Sequence, residues 1–192
     1  TGTIYNLDGT PNLVLTKDDD RTVKVSDILV NEASPYAVFT VTGAAGLKVT
    51  LGLQNDTDIS TADATLGTDS GTALEYFDGT AWQPYVAGAS VTLPTSGQLL
   101  VRTTVVNDST YEGAEALQLV VKTAGGNTSY GTATIIDDGT GNIYPNNNTG
   151  ATDPAAPRDD DRPITVSSVE VNEASPYAIF TVTATAGRQL TL

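Results

Sequence analysis

The sequence predicts an all-β antiparallel sandwich repeated in tandem, and three observations carry that prediction. Short runs alternate apolar and polar residues at period two, clusters of Gly, Asn and Asp separate them, and one long stretch is written twice. No segment carries a useful helical period, so the fold is built from strands and turns.

Taken in order, the strand candidates are VKVSDILV (23–30), YAVFTVT (36–42), LKVTLGL (47–53), ALEYF (73–77), SVTL (90–93), LLVRTTVV (99–106), ALQLVVK (116–122) and YGTATIID (130–137). Side chains alternate between the two faces of a strand, so Leu47, Val49, Leu51 and Leu53 share one face, as do Leu117, Leu119 and Val121. Seven or eight strands of this length suit two packed antiparallel sheets. Trp82, in DGTAWQPY, reads as a packing anchor.

Residues 18–51 align without gaps on residues 159–192, and roughly 22 of the 34 aligned pairs are identical. Upstream, TGTIYN (1–6) echoes TGNIYP (140–145). The expected organisation is a linker from a preceding repeat (1–17), a complete sandwich (18–139), a Pro- and Asn-rich linker (140–163) and a truncated second repeat (164–192). The Pro content predicts an extended, semi-rigid spacer over 140–163, and NLVLT (12–16) is apolar enough to dock as an edge strand. The truncated copy is expected to be completed by another copy, since two or three strands alone are marginal in water.

Composition narrows the chemistry. The chain has 23 acidic and 9 basic residues, a formal charge of -14, and no His, Cys or Met. Imidazole bases, thiolate nucleophiles, disulfides and thiolate metal sites are therefore excluded. Nucleic acid is not an expected partner, because counterion release needs clustered Lys and Arg. No run approaches a membrane span, so no membrane insertion is expected and the chain reads as soluble. It begins without Met, which fits a fragment or mature segment whose secretion signal lies elsewhere.

The acids fall in clusters: DDDR before the first strand, NDSTYEGAE (107–115) and IIDDGTG (135–141), with Glu32 after the first strand. Strands ending near 30, 106 and 137 can meet at one pole in an up-and-down arrangement. That would gather Glu32, Asp108, Glu112, Glu115, Asp137 and Asp138, whose mutual repulsion calls for a hard cation such as Ca2+. The runs Asp18, Asp19, Asp20 and Asp159, Asp160, Asp161 are secondary candidates, since charge beside a linker is often simply solvated.

VSDILVNEASPYAVFTVTG, NDSTYEGAEALQLVV and GTATIIDDG resemble, in that order, the Calx-β repeat. Its pattern is an early strand with Glu, an acidic turn followed by E-x-x-E, and a closing strand ending in Asp-Asp. The resemblance spans 23–139 and recurs in the second copy. It implies an immunoglobulin-like sandwich that binds calcium where the linker enters, through Glu32, Asp108, Glu112, Glu115, Asp137 and Asp138. This chain reads DDG where the family often has three acids, and DATLGTDSGTALEYF echoes the family's middle motif only loosely, so the resemblance does not place Asp69 among the ligands.

Acidic, Cys-free arrays of such repeats resemble the stalks of giant RTX-type bacterial surface adhesins. The implied role is an extracellular, calcium-stabilised stalk or fibre at the cell surface, not an enzyme. Its partners would be neighbouring repeats or copies of itself, with surface glycan contacted through a separate domain. The alternative is a glycan- or ligand-binding module using loops that carry Trp82, Tyr85 and Tyr76.

Overall fold

The computed structural model describes residues 21–56 and 62–191. The expected linker 1–17, its NLVLT strand and the acids Asp18, Asp19 and Asp20 lie outside the described residues. Among those described there is no helix. The strands are β1 (Val23–Val25), β2 (Ile28–Asn31), β3 (Tyr36–Gly43), β4 (Lys48–Asn55), β5 (Ala62–Asp63), β6 (Glu75–Phe77), β7 (Trp82–Pro84), β8 (Val91–Thr92), β9 (Gln98–Thr104), β10 (Glu115–Thr123), β11 (Thr128–Ile136), β12 (Ile164–Val166) and β13 (Val182–Ala184).

Two sheets face each other. One runs β1-β3-β9-β6-β7 with every neighbour antiparallel, and the other runs β2-β11-β10-β4-β8, with β5 alongside β10. Within the second sheet β2 pairs β11 in parallel, as β5 does β10, while the other pairs are antiparallel. The period-two faces meet between the sheets: Phe39, Val41 and Val101 from one side close on Val49, Leu51, Leu119 and Val121 from the other. Each such side chain adds about 1.5–3 kcal/mol when fully buried.

The single strand expected over 23–30 is in fact two strands in different sheets. Ser26 and Asp27 make the break, because their side chains cap both sheets. Ser26 Oγ accepts from the Thr40 N–H at 2.9 Å, and Asp27 Oδ1 accepts from the Thr132 N–H at 2.9 Å. The crossing passes so close to β11 that a Cβ on Gly131 would lie 2.5 Å from the Ser26 carbonyl oxygen. The parallel β2–β11 pairing that follows sets Asn31 beside Ile136. Two strand ends thus meet at one pole by a mixed sheet, where a simple up-and-down order was expected.

Residues 140–150 differ from an extended spacer. They run back along the body, burying Ile143 and Tyr144. The Tyr144 N–H donates to Ser34 Oγ, and Asn142 exchanges backbone hydrogen bonds with Leu29 and Asn31. Gly141 permits this approach, having φ of 84° at a place where a Cβ would meet the Asn31 nitrogen at 2.8 Å. A clamp holds the next turn. The buried Arg102 guanidinium lies between the rings of Tyr36 and Trp82, 3.7 and 4.0 Å from their centroids. It also donates to Glu75 Oε2 at 2.7 Å and Asn146 Oδ1 at 2.8 Å, while the Trp82 indole N–H reaches the Asn147 carbonyl at 2.8 Å. Trp82 is accordingly a packing anchor.

Beyond the linker, β12 and β13 form a hairpin in the register of β1 and β3. Val23↔Gly43 and Val25↔Val41 recur as Ile164↔Ala184 and Val166↔Val182. Most of the hairpin is exposed, and it does not fold back over the body.

Candidate metal centre

The pole is organised around Asn31, which is fully buried. Its Oδ1 accepts from the Ala33 and Asp159 N–H groups, and its Nδ2 donates to the carbonyls of Ile136, Thr140 and Asp159. One amide thus ties the turn after β2, the end of β11 and the acidic run 159–161. The turn aims Glu32 inward, where Oε1 accepts from the Asp108 N–H at 2.9 Å. At the end of β11, Asp137 Oδ2 accepts from the Glu112 N–H at 2.8 Å.

The run 159–161 returns antiparallel to residues 137–139. Asp138 bridges Asp160, the Gly139 N–H donates to the Asp159 carbonyl at 2.8 Å, and the Asp161 N–H donates to the Asp137 carbonyl at 2.9 Å. Alternation along an extended segment sorts its three carboxylates. Asp159 and Asp161 turn toward Glu32, and Asp160 turns away to Arg162 and Arg188, at 2.7 and 3.5 Å. The Arg162 hydrogen bonds hold the Asp160 carboxyl below its usual range.

Among the described residues, two groups of acids result. Glu32, Asp159 and Asp161 each bring an oxygen within 4.8 Å of the others, and so do Asp69, Glu112 and Glu115. A narrow cleft is lined by Glu32 of the first group, by Asp69, Glu112 and Glu115 of the second, and by Asp137. Burial, chiefly, pushes the Glu32 carboxyl up to about 7, reinforced by the charges of Asp108, Asp137 and Asp159 and opposed by the Asp108 N–H. Burial and then Asp69 and Glu112 push Glu115 up to about 7. Glu112 and Asp161 are raised as well, first by burial and then by neighbouring carboxylates.

Three oxygens, Asp137 Oδ1, Asp159 Oδ2 and Asp161 Oδ2, are buried and accept no hydrogen bond. Leaving a buried acceptor unsatisfied costs about 1–3 kcal/mol, and more for a charged group. An all-oxygen donor set whose members repel one another fits a hard cation, whose charge would satisfy the orphaned oxygens and reverse the repulsion.

Of the six residues expected at the pole, Glu32, Glu112, Glu115 and Asp137 line the cleft. Asp108 is exposed and outside both three-acid groups; its N–H serves Glu32 and its Oδ1 caps the Thr110 N–H. Asp138 lies outside both groups too, its Oδ1 accepting from the Thr140 N–H and hydroxyl. Asp69 joins Glu112 and Glu115, and its Oδ2 also accepts from the Thr65 N–H at 2.5 Å. The aromatic residues considered for ligand binding are engaged elsewhere. Arg102 covers Trp82, the Tyr85 hydroxyl bridges the Leu51 N–H and the Ala89 carbonyl, and Tyr76 packs on the core.

No family model matches the chain, and no curated protein matches it. Similar solved structures include the chaperone DraB of E. coli, at 10% identity and TM-score 0.30, covering 66% of this chain and 56% of that one. Another is the CupB2 chaperone of Pseudomonas aeruginosa, at 7% identity and TM-score 0.28, covering 56% of this chain and 52% of that one. The chain therefore spans a little over half the length of each of these two chaperones.

Proposed function

We propose that this chain is a calcium-stabilised structural repeat of an extracellular stalk or fibre on a bacterial surface, an immunoglobulin-like sandwich strung in tandem to project or join other elements. One observation carries the reading. Carboxylates converge at a single pole, Glu32 and Asp137 buried among them, with three oxygens buried and unsatisfied, an arrangement that opposes folding unless a cation or added protons neutralise it. Calcium suits it better than magnesium, because calcium accepts six to eight oxygens in flexible geometry, whereas magnesium demands near-octahedral order and retains water. The twice-written sequence and the resemblance to Calx-β repeats support the tandem arrangement.

The acids cluster in a manner suited to a cation, and no separate acid and nucleophile stands apart among them, which argues against hydrolysis of a glycoside.

Thermal unfolding in calcium and in chelator tests the proposal. With dissociation constants of roughly 10⁻⁴–10⁻³ M, as in extracellular modules, millimolar calcium should add about 1–3 kcal/mol. Identical melting temperatures in the two conditions would sink it.

A further inference from the structure

Asp159 and Asp161 belong by sequence to the start of the second copy, since they align with Asp18 and Asp20 of the first. In space they face Glu32 of the first copy and not the second copy's own Glu173, which is exposed. We infer that the group formed by Glu32, Asp159 and Asp161, with Asp137 adjacent to it, is a junction site: a divalent cation there is shared by two successive copies, and the leading acidic run of each copy serves the copy before it. The inference rests on the calcium reading above and adds what that site does.

Three features point to a ligand at this place beyond the mere presence of acids. Asp137 is 2% exposed, yet its Oδ1 has no partner. Asp159 Oδ2 and Asp161 Oδ2, contributed from the far side of the linker, are buried and unpartnered as well. The backbone already holds them in position through the paired Asp137–Gly139 and Asp159–Asp161 segments and through Asn31. Asp160, between them, is neutralised by Arg162 and Arg188 of the second copy, so the same three-residue run fastens one copy with its outer acids and the other with its middle one.

The second group, Asp69, Glu112 and Glu115, is drawn wholly from the first copy. A cation there would stabilise that copy alone. The two sites therefore separate in function: one holds the sandwich together, and the other holds successive sandwiches in line.

Calcium titration by calorimetry on the full 192-residue chain, paired with amide hydrogen exchange, tests this. The wild-type chain should show two classes of site, and calcium should slow exchange at the Gly139 and Asp161 amides. The double variant Asp159→Asn, Asp161→Asn should weaken one class at least tenfold, keep the other, and lose the calcium-dependent protection at those amides. Asp160→Asn should leave both affinities unchanged. Wild-type affinity and protection in the double variant would overturn the junction site while leaving the calcium reading intact. A wild-type chain that binds no calcium would overturn both.

Discussion

VNEASPYAVFTVT at residues 30–42 and VNEASPYAIFTVT at 171–183 differ at one position, yet they occupy opposite environments. Their local geometry is the same. Ala33 and Ser34 bond back to Asn31 as Ala174 and Ser175 do to Asn172. Ser26 Oγ caps the Thr40 N–H at 2.9 Å, and Ser167 Oγ caps the Thr181 N–H at 2.9 Å. Their burial is not the same: Phe39 is 0% exposed and Phe180 is 59% exposed, because β9 pairs along β3 and no described strand lies beyond β13 on that side. Turn and hairpin shape are dictated by neighbours in sequence, whereas burial depends on strands delivered from far along the chain.

The strongest way to break the comparison is to truncate the same side chain in each copy. Phe39→Ala should destabilise the chain by about 3–5 kcal/mol, the cost of emptying a filled core site. Phe180→Ala should change global stability by less than about 0.5 kcal/mol, as exposed substitutions do. Urea denaturation of the two variants reads this directly, and equal losses would show that the second hairpin is packed in solution.

The pole offers a sharper contrast, in buried Glu32 against exposed Glu173. In chelator the folded-state value for Glu32, about 7, exceeds the 4.5 of a free glutamate, so the folded chain holds a proton that the unfolded chain releases. This stabilisation is fully present below about pH 4.5 and is lost as pH rises through about 7. Glu115, also raised to about 7, acts in the same direction. Urea midpoints without calcium should therefore fall between pH 5 and pH 7.5. Glu32→Gln should flatten that dependence and Glu173→Gln should not, while a dependence untouched by either would assign it to other groups.

Strands at 36–42, 47–53, 99–106, 116–122 and 130–137 were legible because each has one apolar face at period two, which a two-layer core enforces. The break at Ser26–Asp27 shows in the sequence only as a slip of phase: the inward apolar residues fall at 23 and 25 and then at 28 and 30, and the hydrogen bonds change sheets between them. β5 and β7 were missed for another reason: AD and WQP are too short to show a period. Glu32, Glu112, Glu115 and Asp137 could be gathered from strand ends alone. The inward turn of Asp159 and Asp161 could not, because it depends on a linker that doubles back. The signal for that return was Ile143 and Tyr144, two apolar residues in a stretch whose Pro and Asn content favours extension.

The smallest expected effect isolates local structure. Ser26→Ala removes a partly buried hydrogen bond worth about 1 kcal/mol and should lower global stability by that amount. Ser167→Ala removes its equivalent and should leave global unfolding unchanged, while speeding amide exchange at Thr181. Slower global unfolding in either variant would contradict the shared role of these hydroxyls.

The return of residues 159–161 to residues 137–139 also has a mechanical meaning. In the stalk proposed above, tension passing from one copy to the next would run through this short ladder and bypass residues 140–158, a closed loop docked on the body by Ile143 and Tyr144. Fully extended, that loop would span on the order of 60 Å. A stalk built this way would carry a reserve of length at each joint, guarded by the ladder and by the docking of Ile143 and Tyr144. A single-molecule pulling trace should record its release as a discrete step before the sandwich itself opens, at higher force in calcium than in chelator. The joint would then act as a shock absorber, yielding at one seam so that the core need not.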